Sequence, residues 1–495
     1  NCVMAKLKRL HIKELIICLI VCVIPFAWSL AHVQHFEYTE SIFVEDDLNV
    51  IASRTMHHGI ETIYIKERKE EIAGGDFYTT HYDLSNGDTV VIGSLRGLTE
   101  EGVVLQTLHI SGSASMHILD NGSFDVVDLA EGQYDASLFL IDSASFDIAC
   151  YTPKQYEYMI NDALDYKPEN DGYLNVKATS DGFDIEIITK EVPENCCSDF
   201  MLVYSENDLM DWSSEKLDGT WLYYTMDGDN RWTYTGYYRI SPDNYYPTGP
   251  NVYHRCQACY LGASFVKDAN KSRCMEDMLC CIVDVMALQQ NDTGFFPSTS
   301  RSEWLYGDYN IEAPYYDTRF NSDLLEIFCQ DYNLYQTNTS YKAIEKYVEF
   351  YKYLIETVSR DDGNGGIWMP DYWEQNGDID KVHTSLNHQL SELIVNLKAS
   401  YILNDKELEE ISLKMLKAVT NEGMAWVQPN GAYEYCIFPD GSFGLLDYDT
   451  LTYNDMFRLQ ALLEEHYGYR DEMIDQMMAP KLQWMINRGI TDYYQ

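Results

Sequence analysis

Three segments of this 495-residue chain gather residue types that move protons, grip charge and stack on rings. The first holds Tyr315, Tyr316, Asp317, Arg319, Asn321 and Asp323. The second runs from Gly365 through Trp368, Asp371, Tyr372, Trp373 and Glu374 to His383, Asn387 and His388. The third begins at Gly431 with Tyr433 and Tyr435, continues through Asp447, Tyr448, Tyr453 and Asn454, and ends at Arg458 and Gln460. A tyrosine ring offers a flat apolar face and a hydroxyl, which suits a sugar ring. Tyrosine and histidine beside a cation are general acid/base candidates. Two opposed carboxylates would instead serve glycoside hydrolysis, and Asp317, Asp371, Glu374 and Asp447 are available for it. With 40 tyrosines in the chain, any single one is as readily a half-buried aromatic packing a loop onto a helix.

Each segment lies just before an apolar run of helical period. Helices are expected near 252–268, 272–290, 316–336, 341–359, 384–403, 406–421, 453–467 and 470–488. Long loops rich in Gly, Asn, Trp and Tyr follow alternate helices, at 293–315, 361–382 and 427–451. Loops of this length are usually functional or disordered, and their aromatic content argues against disorder. Consecutive antiparallel hairpins can close into an α/α barrel of about four hairpins, with alternate loops opening at one end. From about residue 36 to 247 the period is two, as in Glu61–Lys66 and Gly182–Ile187, and turn dipeptides such as Asn86-Gly87 and Asp181-Gly182 punctuate the runs. That pattern indicates antiparallel, sandwich-like sheets. The expected organisation is a leader over 1–31, a β-rich domain over 32–150, a second β-rich unit over 151–247 and the helical domain over 248–495.

Lys6, Lys8, Arg9 and Lys13 precede an apolar run from Leu15 to Leu30, the form of a secretory signal peptide or an uncleaved N-terminal anchor. The expectation is a secreted or membrane-anchored protein whose body works outside the cytoplasm. A net charge of −44 excludes nucleic acid as a natural partner. An anionic glycan would need a gathered basic groove, for which Arg301, Arg319, Lys352, Arg360 and Arg458 are the candidates. Cys256 and Cys259 have redox-motif spacing, but within an apolar helical pattern, so buried thiols or a local disulfide fit better. No cofactor is called for. Asp227–Asn230 and Asp361–Asn364 have the flavour of a loop for a divalent cation such as calcium, and hairpin turns explain them better. The β-units could complete the cleft, bind glycan separately or support a homodimer.

Over residues 315–495 the motif order resembles the C-terminal domain of D-glucuronyl C5-epimerases. Trp368 to Glu374 followed by Leu386-Asn387, the segment Gly431 to Tyr435, and Tyr453 seven residues before Gln460 carry the resemblance. It implies an α/α barrel acting on a polysaccharide or oligosaccharide, with a proton removed at C5 of a uronate and returned from the opposite face. It nominates Tyr453, Tyr372 and Tyr433 as acid/base residues. Arg319 and then Arg458 follow as carboxylate partners, with Asn387, His388, Tyr316, Trp368 and Tyr448 as sugar contacts. The chain departs from the family pattern in the longer stretch between Tyr372 and Leu386 and in His388 after Asn387. A polysaccharide lyase, a glycoside hydrolase, or a glycan-binding protein without catalysis are the alternatives.

Overall fold

The computed structural model describes residues 49–120, 123–135, 137–158, 164–212, 230–233, 236–239, 245–246 and 259–494. The leader, Asp227–Asp229 and Cys256 lie outside them. Among the described residues no helix is long and apolar enough to cross a membrane.

The N-terminal half is antiparallel throughout. One sheet has the order β1 (Val50–His58), β2 (Glu61–Ile72), β3 (Gly75–Leu84), β4 (Thr89–Arg96), β14 (Cys196–Ser205), β10 (Asp147–Tyr158), β9 (Leu138–Ser143), β6 (Ala114–Asp120) and β7 (Ser123–Asp128), with β11 (Leu164–Tyr166) beside β10. A smaller sheet has the order β5 (Val103–Ser111), β13 (Gly182–Thr189), β12 (Tyr173–Ala178) and β8 (Gly132–Tyr134). The period-two alternation explains the layering. Val91, Leu95, Phe200 and Leu202 face the small sheet, where they meet Leu105, Ile110, Val176 and Ile185. Val90, Ile92, Met201 and Val203, one residue out of phase, belong to the core shared with the helices. The large sheet is therefore the middle layer, buried on both faces at its centre. Gly93 sits opposite Phe200 on the neighbouring strand, and a Cβ there would lie 2.2 Å from the Phe200 ring.

The division expected after residue 150 falls inside β10, and β10 pairs with β14 over nearly its whole length. Lys154 and Gln155, polar residues at that boundary, are both buried. Gln155 donates to Glu191 O at 2.8 Å and Lys154 lies over the Tyr151 ring. Burial with partners makes a polar strand stable where sequence alone suggests a connector.

The helical half has α1 (Cys259–Asp268), α2 (Arg273–Leu288), a short α3 (Glu303–Tyr309), α4 (Thr318–Tyr335), α5 (Asn338–Val358), α6 (Leu386–Leu403), α7 (Lys406–Glu422), α8 (Leu451–Tyr467) and α9 (Glu472–Asn487). All eight expected helices are present, and α3 is an addition within the first long loop. Ser272, Ser302, Asp317, Asp405 and Asp471 cap α2, α3, α4, α7 and α9 through side-chain oxygens. Helices α1, α4, α6 and α8 pack side by side, each with its hairpin partner against it. Helix α6 is enclosed along almost its entire length.

Ion pairs fasten the large sheet to the helices. Arg54 reaches Asp284 of α2 through Nε at 2.8 Å and Nη2 at 2.5 Å, and Tyr82 donates to the same carboxylate at 3.0 Å. His58 Nε2 lies 2.7 Å from Asp331 of α4, with neither side chain exposed. Arg273 pairs with Asp88.

Candidate functional site

The loops before α4, α6 and α8 are stitched together by short ladders. Tyr316–Asp317 pairs with Tyr372–Trp373, and Thr384–Ser385 pairs with Glu434–Ile437. Thr318 N donates to Asp371 O, and Asp371 N to His383 O, both at 3.0 Å. These bonds fix one cluster at the helix N-termini.

Asp371 is its centre and is fully buried. Its carboxylate accepts from Ser385 N at 2.7 Å and from Ser385 Oγ. His383 Nε2 lies 3.2 Å away, off the hydrogen-bond direction, and His388 Nδ1 at 3.6 Å. Burial works to raise the Asp371 pKa, but the two imidazoles and Ser385 outweigh it and hold the carboxyl below its ordinary value. His383 Nδ1 shares a 2.6 Å bond with Tyr309 OH. His388 Nδ1 shares a 2.5 Å bond with Thr318 Oγ1. Burial pushes His388 down to about 4 against the pull of Asp371, so this imidazole is neutral near pH 7. Its Nε2 has no hydrogen-bond partner among the described residues, and 8% of the side chain is exposed.

Asp317 stands next to this pair. Its Oδ1 accepts from Phe320 N at 3.0 Å as the cap of α4. Burial pushes its carboxyl up to about 7; the backbone N–H of Phe320 opposes this and the charge of Asp371 adds to it. Tyr372, directly across the ladder from Asp317, packs edge-on to the His388 ring at 5.8 Å and to Trp304 at 5.7 Å. Tyr435 lies between His383 and the exposed Tyr448, with centroids 5.8 and 6.0 Å away. The rim is thus aromatic and the floor is an Asp–His network.

The other nominated residues lie elsewhere or are engaged. Tyr433 is buried behind the third loop, where its hydroxyl donates to Met477 O at 3.1 Å and Lys481 lies 5.0 Å over its ring. Tyr453 is on α8 and packs against Tyr493 at 5.8 Å. Both belong to the main core, whereas Tyr372 belongs to a satellite cluster with Leu305, Tyr309, Tyr315 and Val382. Arg319, read as a carboxylate grip, already holds Asp455 at 2.6 Å and Asp323 at 3.1 Å. Arg458 is shared between Asp455 and Glu326. Tyr316 is buried and bonded to Tyr347 at 2.7 Å and to Glu392 at 3.2 Å. Trp368 packs on Trp426. Asn387 is next to His388, and its buried Oδ1 has no partner.

Of the four carboxylates proposed for hydrolysis, Asp371 is filled by its network. Asp447 accepts from Thr452 Oγ1 at 2.5 Å and pairs with buried Lys481 at 3.2 Å. Glu374 accepts from Asn376. Asp317 takes its hydrogen bonds from the backbone at the start of α4 and has no side-chain donor among the described residues, and burial pushes its carboxyl up to about 7. In the loop considered for calcium, Asp362 accepts from Asn364 N, Gly366 N and Asn421 Nδ2, the pattern of a closed turn. Among the described residues no group of three or more His, Cys, Asp or Glu is set to hold a metal ion.

The sequence alone points to Asp317, Asp371 and His388 but assigns no role to Tyr309, Thr318, His383, Ser385 or Tyr435. The available signal was the run Val382 to His388, in which polar residues alternate just ahead of an apolar helix.

No protein-family model matches the chain, and no curated protein matches it. Solved structures with partial likeness include the GH76 α-mannanase of Bacteroides thetaiotaomicron, at 12% identity over 46% of this chain and 58% of that one, with a TM-score of 0.34. A D-mannose isomerase matches at 13% identity over 46% and 60%, with a TM-score of 0.34. The cellobiose 2-epimerase of Spirochaeta thermophila matches at 12% over 51% and 64%, with a TM-score of 0.36. The chain thus spans less than two thirds of each, and TM-scores of this size do not define a shared fold.

Proposed function

We propose that this chain is a carbohydrate-active enzyme that transfers protons at a sugar ring. One observation carries the reading: a carboxyl titrating near 7 and a neutral imidazole with a free Nε2 stand at one aromatic-rimmed cluster. A general base works best when its pKa lies near the working pH, and Asp317 meets that condition. Asp371 acts through His388, fixing the ring against Thr318. Within the class we favour epimerisation α to a uronate carboxylate. Asp317 takes the C5 proton, the electron pair moves into the carboxylate as an enolate, and a proton returns to C5 from the opposite face. His388 Nε2–H or the Tyr372 hydroxyl supplies that proton. Hydrolysis is less well supported, because a second carboxylate free to face substrate is wanting among the four weighed. We also place this activity outside the cytoplasm, on the strength of the basic-then-apolar leader.

The test is incubation with a panel of glucuronate and iduronate polymers in deuterated water. Deuterium at C5 without loss of chain length supports the reading. Chain shortening with an unsaturated, ultraviolet-absorbing end would replace it with a lyase, and shortening with a new reducing end with a hydrolase. Binding with neither change would make the chain a glycan-binding protein.

A further inference from the structure

A pocket of about 300 Å³ lies beside the cluster, lined by Thr357, Ser359, Arg360, Trp373, Gln375 and Asp380 among others. Trp373 follows Tyr372 on the same short strand. Arg360 reaches the other loop, donating from Nη1 to Val382 O and from Nη2 to Thr384 Oγ1, each at 2.8 Å. Those bonds bracket His383.

The five cations expected to serve an anionic substrate separate cleanly. Arg301 pairs with Glu303 and Glu312, Arg319 with Asp323 and Asp455, Lys352 with Asp405 and Glu407, and Arg458 with Asp455 and Glu326. Arg360 alone of the five has no carboxylate within 4 Å among the described residues. Its neutral partners use two of the five N–H donors of a guanidinium. Three donors remain, and the partly exposed Arg360 lines the pocket. Burial lowers the Arg360 pKa, while Asp371 and Asp380 support its charge from farther away.

We infer that this pocket is a subsite for a carboxylate-bearing sugar unit, with Arg360 holding the carboxylate and Trp373 backing the ring. A guanidinium with an unused edge binds a carboxylate through paired, charge-assisted hydrogen bonds. Thr357, Ser359 and Gln375 offer hydroxyl and amide groups to sugar hydroxyls. Asp380, on the same wall, accepts from a hydroxyl but weakens the hold on the anion. The identification of the anion as a sugar acid rests on the proposed function; the anion preference of the pocket does not.

The experiment is titration of the full chain with methyl glucuronide and with methyl glucoside, by calorimetry or ligand-observed NMR. The glucuronide should bind at least about tenfold more tightly, the effect expected of one charge-assisted pair. Arg360→Gln should remove that difference. Asp380→Asn changes an exposed side chain and leaves the Arg360 bonds in place, and it should tighten the glucuronide about fivefold while leaving the glucoside unmoved. Equal binding of the two sugars overturns the inference, as does a glucuronide affinity indifferent to both Arg360→Gln and Asp380→Asn. If the preference holds but no polymer exchanges C5 hydrogen, the subsite stands and the enzyme reading falls. If exchange occurs with no preference here, the reverse is true.

Discussion

Replacing Asp317 by Asn should stabilise the protein while removing its activity. The carboxyl titrates at about 7 in the fold against an ordinary 3.8. Each pH unit of that gap is worth about 1.4 kcal/mol, so the ionised form is disfavoured in the folded state by at most about 4 kcal/mol. The folded pKa of this acid is raised, so the folded state binds the proton more tightly than the unfolded chain. The contribution of this group to stability is therefore full below about pH 4 and is lost as pH rises from about 4 to about 7, where the loss levels off. Asn caps a helix as well as Asp does, so the bond from Phe320 N survives. The favourable interaction of a carboxylate with the N-terminus of α4, worth roughly 0.3–1 kcal/mol, is lost and subtracts from the gain. A net gain of about 2–3 kcal/mol at pH 8 is expected, shrinking toward zero by pH 4, and roughly 1 °C in Tm accompanies each kcal/mol in a chain this long. Deuterium incorporation at C5 should fall at least about 100-fold. Urea unfolding followed by tryptophan fluorescence at pH 5 and pH 8 is the assay. A stability change of the same size at both pH values, or a loss at pH 8, would refute the argument that Asp317 is a strained, functional carboxyl.

Three further outcomes can be checked. Asp284→Ala leaves Arg54 with Glu67 alone and takes the acceptor from Tyr82, so it should lower unfolding stability by about 3 kcal/mol in denaturant titration. Arg54→Met with Asp284→Leu should recover most of it, and sheet and helices should still unfold together. Tyr433→Phe removes the bonds to Met477 O and Met456 Sδ and should cost about 1 kcal/mol in stability with C5 exchange unchanged; a 100-fold loss of exchange would restore the tyrosine-mediated scheme. Cys150, Cys196, Cys197, Cys274, Cys280, Cys281, Cys329 and Cys436 are buried and free, and burial raises the thiols of Cys150, Cys274, Cys280 and Cys281 among them. These eight should resist a thiol reagent in the native protein and react within minutes in guanidinium chloride, as read by absorbance.

The local features were the legible ones. The 3.6 and two-residue periods marked eight helices and the strand-rich half, because burial of one face leaves its spacing in the sequence. Asp323, four residues after Arg319, pairs with it on the same helix face. The partner that completes it, Asp455, is 136 residues away. No spacing rule reports such a contact, so Arg319 looked like a free grip on substrate. Tyr433 misled for the same reason, since its acceptor is the Met477 carbonyl on another helix. The strand β10 failed differently: its buried polar residues carry partners that composition does not reveal.

These misses share a cause that bears on function. Residue type says what a side chain can do, whereas its partners decide whether that capacity is still available. Arg319, Arg458 and Tyr433 have the right chemistry and spend it within the protein. Among the groups left unspent are His388 Nε2, the buried Oδ1 of Asn387, the near-neutral carboxyl of Asp317 and the unused edge of Arg360. All four lie on the loops before α4 and α6 or in the first turn that follows them. Buried polar atoms without a partner also occur elsewhere among the described residues, as at His58 Nδ1, Gln155 Oε1, Asn396 and Trp426 Nε1. Each destabilises the fold by about 1–3 kcal/mol, so what singles out these four groups is that they stand around one aromatic-rimmed cluster, where a ligand could use them together.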